Sequence, residues 1–252
     1  MCLLLIAKNV HPEYQLIVAA NRDEFYNRPA SAADFWKEYP FLLAGKDLQA
    51  NGTWLGITKE GKFSALTNYR DLKNIKPDAP TRGMLTLDFL VGNDFPSEYY
   101  EKIKKDSDAY NGYNLIMGTV TDLYYFSNIS NEFLELGKGI FGLSNSLLDT
   151  PWPKVNQIKK VFGEIILKLK SPIQLIEALA DNSPFQDDIL PDTGIGIELE
   201  RVLSPIFVKS PIYGTRCSTA ILVSNNGDVS FVERTYAGEK HSDKEFNFKL
   251  IK

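Results

Sequence analysis

The chain enters an apolar run at its first residues. Cys2-Leu3-Leu4-Leu5-Ile6-Ala7-Lys8 has the pattern of a buried strand, and Asn9-Val10-His11-Pro12-Glu13 after it carries turn chemistry. Tyr14-Gln15-Leu16-Ile17-Val18-Ala19-Ala20 is then the second strand of a hairpin. Chain ends ordinarily fray, because few contacts hold them. A terminus that begins as a core strand makes position 2 a fixed point in the fold. The polar run Asn21-Arg22-Asp23-Glu24 follows abruptly, and residues 27–51 are expected to be irregular.

Further on, the apolar periodicity changes several times. Strands are expected at 53–57 and 63–67, with a turn at Lys59-Glu60-Gly61. Helices are expected at 81–91 and from Pro96 through Lys105. Strands return at 113–119, 122–127, 132–135 and 140–143. Val155, Ile158, Val161, Phe162, Ile165 and Leu169 then make one face of a helix starting at Asp149-Thr150-Pro151. Ser171-Pro172 opens another helix, through about Ala180. Residues 183–212, acidic and proline-rich, are expected to be a surface excursion. Strands 218–223 and 229–234 close the chain, joined by Asn225-Asn226-Gly227-Asp228, a hairpin signal. Strands joined by short turns pair antiparallel, and the helices come in consecutive pairs. The expected class is α+β: a four-layer αββα sandwich of two antiparallel sheets with helices outside. No linker, repeat or low-complexity tract divides residues 1–252, so one domain is expected.

Composition narrows the chemistry. The net charge is −4 and no block of Lys and Arg stands out, which excludes the electrostatic footprint of a nucleic-acid binder. Two cysteines, Cys2 and Cys217, cannot make a disulfide framework and fit a reducing compartment. Two isolated histidines, His11 and His241, leave no metal-ligand cluster and little material for a Ser-His-Asp triad. Leu3–Ala7 is too short for a signal-peptide core, and no apolar run reaches the ~18 residues of a membrane span. The expected location is the cytoplasm, without stable membrane insertion.

Four stretches then stand together: Met1-Cys2 with Ala20-Asn21-Arg22-Asp23-Glu24-Phe25; Gly52-Thr53-Trp54-Leu55-Gly56 with Ala65-Leu66-Thr67-Asn68-Tyr69; Gly142-Leu143-Ser144-Asn145; and Tyr213-Gly214-Thr215-Arg216 with Ser218-Thr219. In this order they closely resemble the NRDE family, that of the transport and Golgi organisation protein 2 homologues, over essentially the whole chain. That family is similar in turn to N-terminal-nucleophile (Ntn) hydrolases of the choloylglycine hydrolase and penicillin V acylase group. The resemblance implies the αββα sandwich and a catalytic set of Cys2, Arg22, Asp23, Asn68, Asn145 and Arg216. Glu24, Trp54, Tyr69 and Thr215, in the same motifs, are taken as substrate contacts.

The residue types suit that chemistry. If Met1 is removed, Cys2 carries a thiol and a free α-amine on one residue. An α-amine has a pKa of about 7.7–8.0, so it can serve as a base near neutral pH. A cationic neighbour such as Arg22 favours the thiolate, and a guanidinium can also hold a substrate carboxylate or carbonyl. In the acylase group the orienting carboxylate lies three positions after the arginine. Here Asp23 and Glu24 follow Arg22 at once, and either can take that role. Asn68 and Asn145 can donate to a developing oxyanion, and Arg216 can clamp the substrate. Cys217 is expected to be a buried structural thiol facing away from Arg216. Plainer readings stand beside these: an Arg22 ion pair that only stabilises the fold, asparagines that satisfy backbone at strand ends, and tryptophans that are core or pocket wall.

Two functions compete. One is an Ntn-type amidohydrolase acting on a small non-peptide amide through a Cys2 acyl-thioester, with no cofactor. The other is binding or trafficking of a haem or lipid ligand without turnover, with Cys2 as a thiolate ligand. A degenerate hydrolase fold kept for interaction alone ranks below both.

Overall fold

The computed structural model describes residues 2–251; residues 1 and 252, and the side chain of Cys2, lie outside the described part. The expected hairpin is present as β1 (Cys2–Lys8) and β2 (Tyr14–Phe25). Five further residues, Asn21 to Phe25, continue β2 beyond its expected end. They do so because β11 (Tyr213–Ser224) begins earlier than expected and pairs with them, Tyr213 opposite Phe25 and Gly214 opposite Glu24. Two polar motifs that look like loops from the residues alone are thus strands paired with each other.

The first sheet has six strands in the order β10-β1-β2-β11-β12-β13, with β10 at Gly139–Leu143, β12 at Asp228–Ala237 and β13 at Lys240–Lys249. The second has seven in chain order, from β3 (Ala30–Phe35) and β4 (Leu42–Asp47) through β5 (Leu55–Thr58), β6 (Lys62–Asn68), β7 (Tyr113–Thr119) and β8 (Leu123–Ser127) to β9 (Phe133–Leu136). Every named pairing is antiparallel.

Strand alternation sorts the apolar residues into layers. Leu4, Ile6, Leu16, Val18, Ile221 and Phe231 meet Leu43, Ile57, Phe63 and Ile116 of the other sheet in the central core. Leu3, Leu5, Ile17, Ala19 and Leu222 face outward, under α3 (Pro153–Ile166) and α4 (Ile173–Ala178). On the other outer face, α1 (Gly83–Val91) and α2 (Pro96–Lys104) cover Leu66, Leu115, Met117 and Phe126. Each such large side chain, fully buried, stabilises the fold by about 1.5–3 kcal/mol. The expected sandwich of two antiparallel sheets with outer helices is the observed one.

Three expectations need correction. Residues 27–51 are not irregular, for they hold β3 and β4. The small, polar Ala30-Ser31-Ala32-Ala33-Asp34 segment hides an edge strand, whose ladder is also interrupted between Ser31 and Asp34. Residues 183–212 are not wholly a surface excursion. They contain α5 (Ile197–Leu203), and Glu200, Ile206 and Val208 are buried. Finally, β13 follows the expected last strand. Its charged residues gave no apolar alternation, because its first six positions are exposed.

Candidate active site

Antiparallel order brings the start of β1 and β11 to the same end as the finish of β2, β6 and β10. There the sheets part and leave a two-lobed cleft. A polar lobe of about 440 Å³ is walled by Arg22, Glu24, Arg28, Asp47, Asn68 and Arg82. An apolar lobe of about 550 Å³ shares Glu24, Arg28, Asn68 and Arg82 with it and adds Tyr69, Asn145 and several exposed apolar side chains.

Arg22 sits where the polar lobe meets the core. Its backbone is directly opposite Cys2 in the β1–β2 ladder and opposite Cys217 in the β2–β11 ladder. It has the parity of Leu16, Val18 and Ala20, which face the space between the sheets. The guanidinium carbon lies 4.0 Å from the centre of the Trp54 ring. Its two carboxylate neighbours, Glu24 and Asp47, stand off at 3.9 Å. The side chain is only 6% exposed, and both of these carboxylates stand beyond hydrogen-bonding distance of its guanidinium. A buried cation that lines a cavity, with its carboxylates standing off at 3.9 Å, can receive a polar group. Arg28 completes the cluster, donating from Nε to Asp47 at 2.7 Å and lying 3.8 Å from Glu24. Glu24 is thus an ion-pair partner of two arginines.

Asp23 projects to the opposite face of β2, toward the helices. Its Oδ1 accepts from the Thr215 hydroxyl at 2.6 Å, and that hydroxyl accepts in turn from the Val208 N–H. Burial raises its pKa, against the opposing pull of nearby Lys154 and the Thr215 hydrogen bond. Lys154 is buried too, and donates to the Leu203 carbonyl at 2.9 Å. Desolvation brings its pKa down to about 8, although Asp23 favours the charged form.

The two asparagines are brought together. Asn145 is buried just past β10, and its Nδ2 donates to the main-chain carbonyl of Asn68 at 2.8 Å. Its own carbonyl accepts from the Arg70 N–H. Asn68, at the end of β6, is half-buried and lines both lobes. The backbone-satisfying reading therefore describes one of the Asn145 bonds. Tyr69 lines the apolar lobe while its N–H holds the Gly112 carbonyl.

Arg216 lies elsewhere. It is the extra residue of a bulge between Thr215 and Cys217, and its Nη1 donates to the carbonyls of Phe25 and Arg28. It pins the turn after β2, and it is not among the residues lining either lobe. The bulge also breaks the simple alternation on which the orientation of Cys217 was expected. Cys217 is buried, as expected, and its thiol hydrogen-bonds Glu233. The expected nucleophile itself is placed only by its backbone; the Cys2 side chain and any role of Met1 lie outside the described residues.

Several charged groups of this end escape the sequence. Asp47 sits in the segment read as irregular and Glu200 in the one read as surface. Glu233 is 2% exposed and accepts from the Ala33 N–H of the other sheet at 2.6 Å, filling the gap in the β3 ladder; burial raises its pKa. A charged residue inside an apolar strand pattern was the available signal for Glu233. Nothing local marks Arg70 or Glu200. Among the described residues no cluster of His, Cys, Asp and Glu could hold a metal ion, and no helix is long and apolar enough to cross a membrane.

The family model described as Transport and Golgi organisation 2 matches residues 1–238. The Transport and Golgi organization 2 homolog of Mus musculus is 36% identical over 98% of this chain and 97% of its own length. The Drosophila melanogaster Transport and Golgi organization protein 2 is 28% identical over 98% of this chain and 99% of its own. Among solved structures, the C2A mutant of conjugated bile acid hydrolase from Clostridium perfringens overlays with a TM-score of 0.50 at 9% identity, covering 99% of this chain and 97% of that one. That likeness is one of fold, an Ntn-hydrolase-like sandwich. The coverage and identity with the curated relatives settle the family: this chain is a member of the Transport and Golgi organisation 2 family.

Proposed function

We propose that the chain is an Ntn-type amidohydrolase that cleaves a small non-peptide amide through an acyl-thioester on Cys2. Removal of Met1 gives Cys2 its free α-amine. The amine takes the thiol proton, and the sulfur attacks the amide carbonyl carbon. The resulting oxyanion is met by amide N–H groups of Asn68 and Asn145. The C–N bond then breaks, and the departing nitrogen takes the proton from the α-amine. Water, with the same amine as base, attacks the thioester and releases a carboxylic acid.

The observation that carries this reading is Arg22: directly cross-strand from Cys2, stacked on Trp54, and open to the polar lobe. Arg22 keeps the thiol ionised and binds a substrate oxygen, with Glu24 and Asp47 holding it loosely in place. Of the two candidate carboxylates, Asp23 is assigned to orient the amine, because it is 1% exposed and adjoins Arg22, the residue paired with Cys2, whereas Glu24 is held between two arginines. The neighbour on this fold is named a hydrolase, in keeping with a hydrolytic reading. Intact mass of the purified protein, followed by iodoacetamide labelling and a panel of activated amides, tests it. The expected result is loss of Met1, one fast thiol that disappears in Cys2→Ala, and an acyl adduct on the N-terminal peptide. Retained Met1 would overturn it.

A second reading is favoured by the apolar lobe, whose rim includes Phe25, Leu72, Ile75 and Ile212, each about half exposed or more. Such a lobe can hold a haem or lipid without turnover, in keeping with relatives named for transport. Neither histidine lines the cleft. His11 accepts main-chain N–H groups of its own turn and His241 lies on the exposed part of β13. Cys2 serves as the thiolate ligand in this reading, and a Soret titration tests it: no saturable change in wild type removes the haem, and an unchanged one in Cys2→Ala removes Cys2 as its ligand. Both readings place the chain in a reducing compartment, the cytoplasm, where its thiols persist.

A further inference from the structure

Helix α5 belongs to two places at once. Leu199 and Val202, one turn apart, are 50% and 41% exposed and form part of the wall of the apolar lobe. Glu200, between them in the chain, is 3% exposed. Its Oε2 receives Arg70 Nη1 at 2.7 Å, and its Oε1 accepts from the N–H of Thr193 at 2.8 Å and from the Thr193 hydroxyl. Lys154 holds the other end of the helix through the Leu203 carbonyl. A helix of seven residues has too few internal bonds to keep its own place. Its seat is set by this buried charge network.

Arg70 leads from that network to the site. It lies two residues beyond Asn68, its guanidinium stacks 4.9 Å from the Trp152 ring centre, and its N–H is bound to the Asn145 carbonyl. Asn145 in turn holds the Asn68 carbonyl. The chain of contacts Glu200–Arg70–Asn145–Asn68 therefore joins the wall of the apolar lobe to both asparagines. A buried ion pair is a poor source of net stability, since desolvation cancels most of its attraction. It does fix one geometry, because any other seat for α5 leaves a buried charge unpaired.

We propose that Glu200 is a positioning residue that sets the apolar selectivity of the cleft: it seats Leu199 and Val202, which decide how long an apolar group is admitted, and through Arg70 it registers that wall to the asparagine pair. The link to the asparagines rests on the amidohydrolase reading; the selectivity does not.

The test is displacement of 1-anilinonaphthalene-8-sulfonate fluorescence by straight-chain carboxylates from octanoate to palmitate. Wild type discriminates by chain length. Val202→Phe narrows the lobe and moves the preferred length down, with affinity falling roughly tenfold for each two methylenes excluded. Glu200→Gln keeps the shape, removes the charge and flattens the length dependence. It also speeds amide hydrogen exchange at residues 68–71, which do not touch its side chain except through Arg70. If Glu200→Gln does not fold, Val202→Phe still tests the wall. A chain-length profile unchanged from wild type in Val202→Phe, or in folded Glu200→Gln, overturns the proposal. Absence of a fast-labelling thiol in the wild type, with an intact chain-length profile, removes the enzyme reading and leaves this one standing.

Discussion

The side-chain amide of Asn145 holds the main-chain carbonyl of Asn68 at 2.8 Å, a bond between residues 77 positions apart that ties the end of β6 in one sheet to the exit of β10 in the other. It sits where the sheets part, so the geometry of the cleft and its polar floor depend on the same contact.

Asn145→Ala leaves the half-buried Asn68 carbonyl without its donor. The expected loss is about 1–3 kcal/mol of unfolding free energy, read as a lowered urea midpoint with unchanged slope. Asn145→Asp is expected to lose more, since at neutral pH a carboxylate then faces the Asn68 carbonyl. Equal stability of Asn145→Asp and wild type would contradict this account.

Gly45 explains how Trp54 lies flat enough to carry Arg22. A Cβ at position 45 would stand 2.3 Å from Trp54 Cη2 and Cζ2. Gly45→Ala is therefore expected to push the indole from its seat and cost about 1–3 kcal/mol. Reactivity of the Cys2 thiol should fall with it, because the guanidinium loses its platform. Tryptophan emission and iodoacetamide kinetics measure the two effects together.

Arg22→Met keeps the stem and removes the charge. In the amidohydrolase reading the pH midpoint for Cys2 alkylation rises, since the cation that favours thiolate is gone. Stability should change little or improve, because the buried guanidinium is poorly compensated at 3.9 Å from its carboxylates. A midpoint unchanged by the substitution would remove Arg22 from the chemistry.

Lys154 predicts a pH signature. Its pKa falls from the ordinary 10.5 to about 8 in the folded protein. Between those values the unfolded chain holds more protons, so this group makes stability rise with pH. Below about 8 it is charged in both states and its full burial cost is present. Lys154→Met is expected to be relatively more stable than wild type near neutral pH, and to lose that advantage as pH rises toward 10.5. Thermal unfolding of both proteins across this window checks it. A constant difference would mean that Lys154 does not titrate there.

Legibility differed with the kind of signal. The central strands of the first sheet were plain, since Leu3–Ala7, Leu16–Ala20 and Ala220–Val223 are apolar on both faces and buried on both. The edge strands β3 and β13 were missed, because half-exposed strands with Ala, Asp and Lys lack the apolar alternation that marks a strand. In the site, Arg22, Asn68 and Asn145 were singled out by their motifs and do converge. Arg216 was singled out in the same way and holds main chain instead, because the bulge redirects it.

The amino-acid order alone determined the layers, since apolar period and turn residues dictate which faces must be buried and which strands turn back on one another. It also determined the family, because four motifs in fixed order survive without any geometry. Only the tertiary structure decided what surrounds Arg22, why α5 is seated by Glu200, and that Glu233 fills a gap in the opposite sheet. Those are pairings of charges between segments far apart in the chain, and a buried charge is tolerated only where folding supplies its partner.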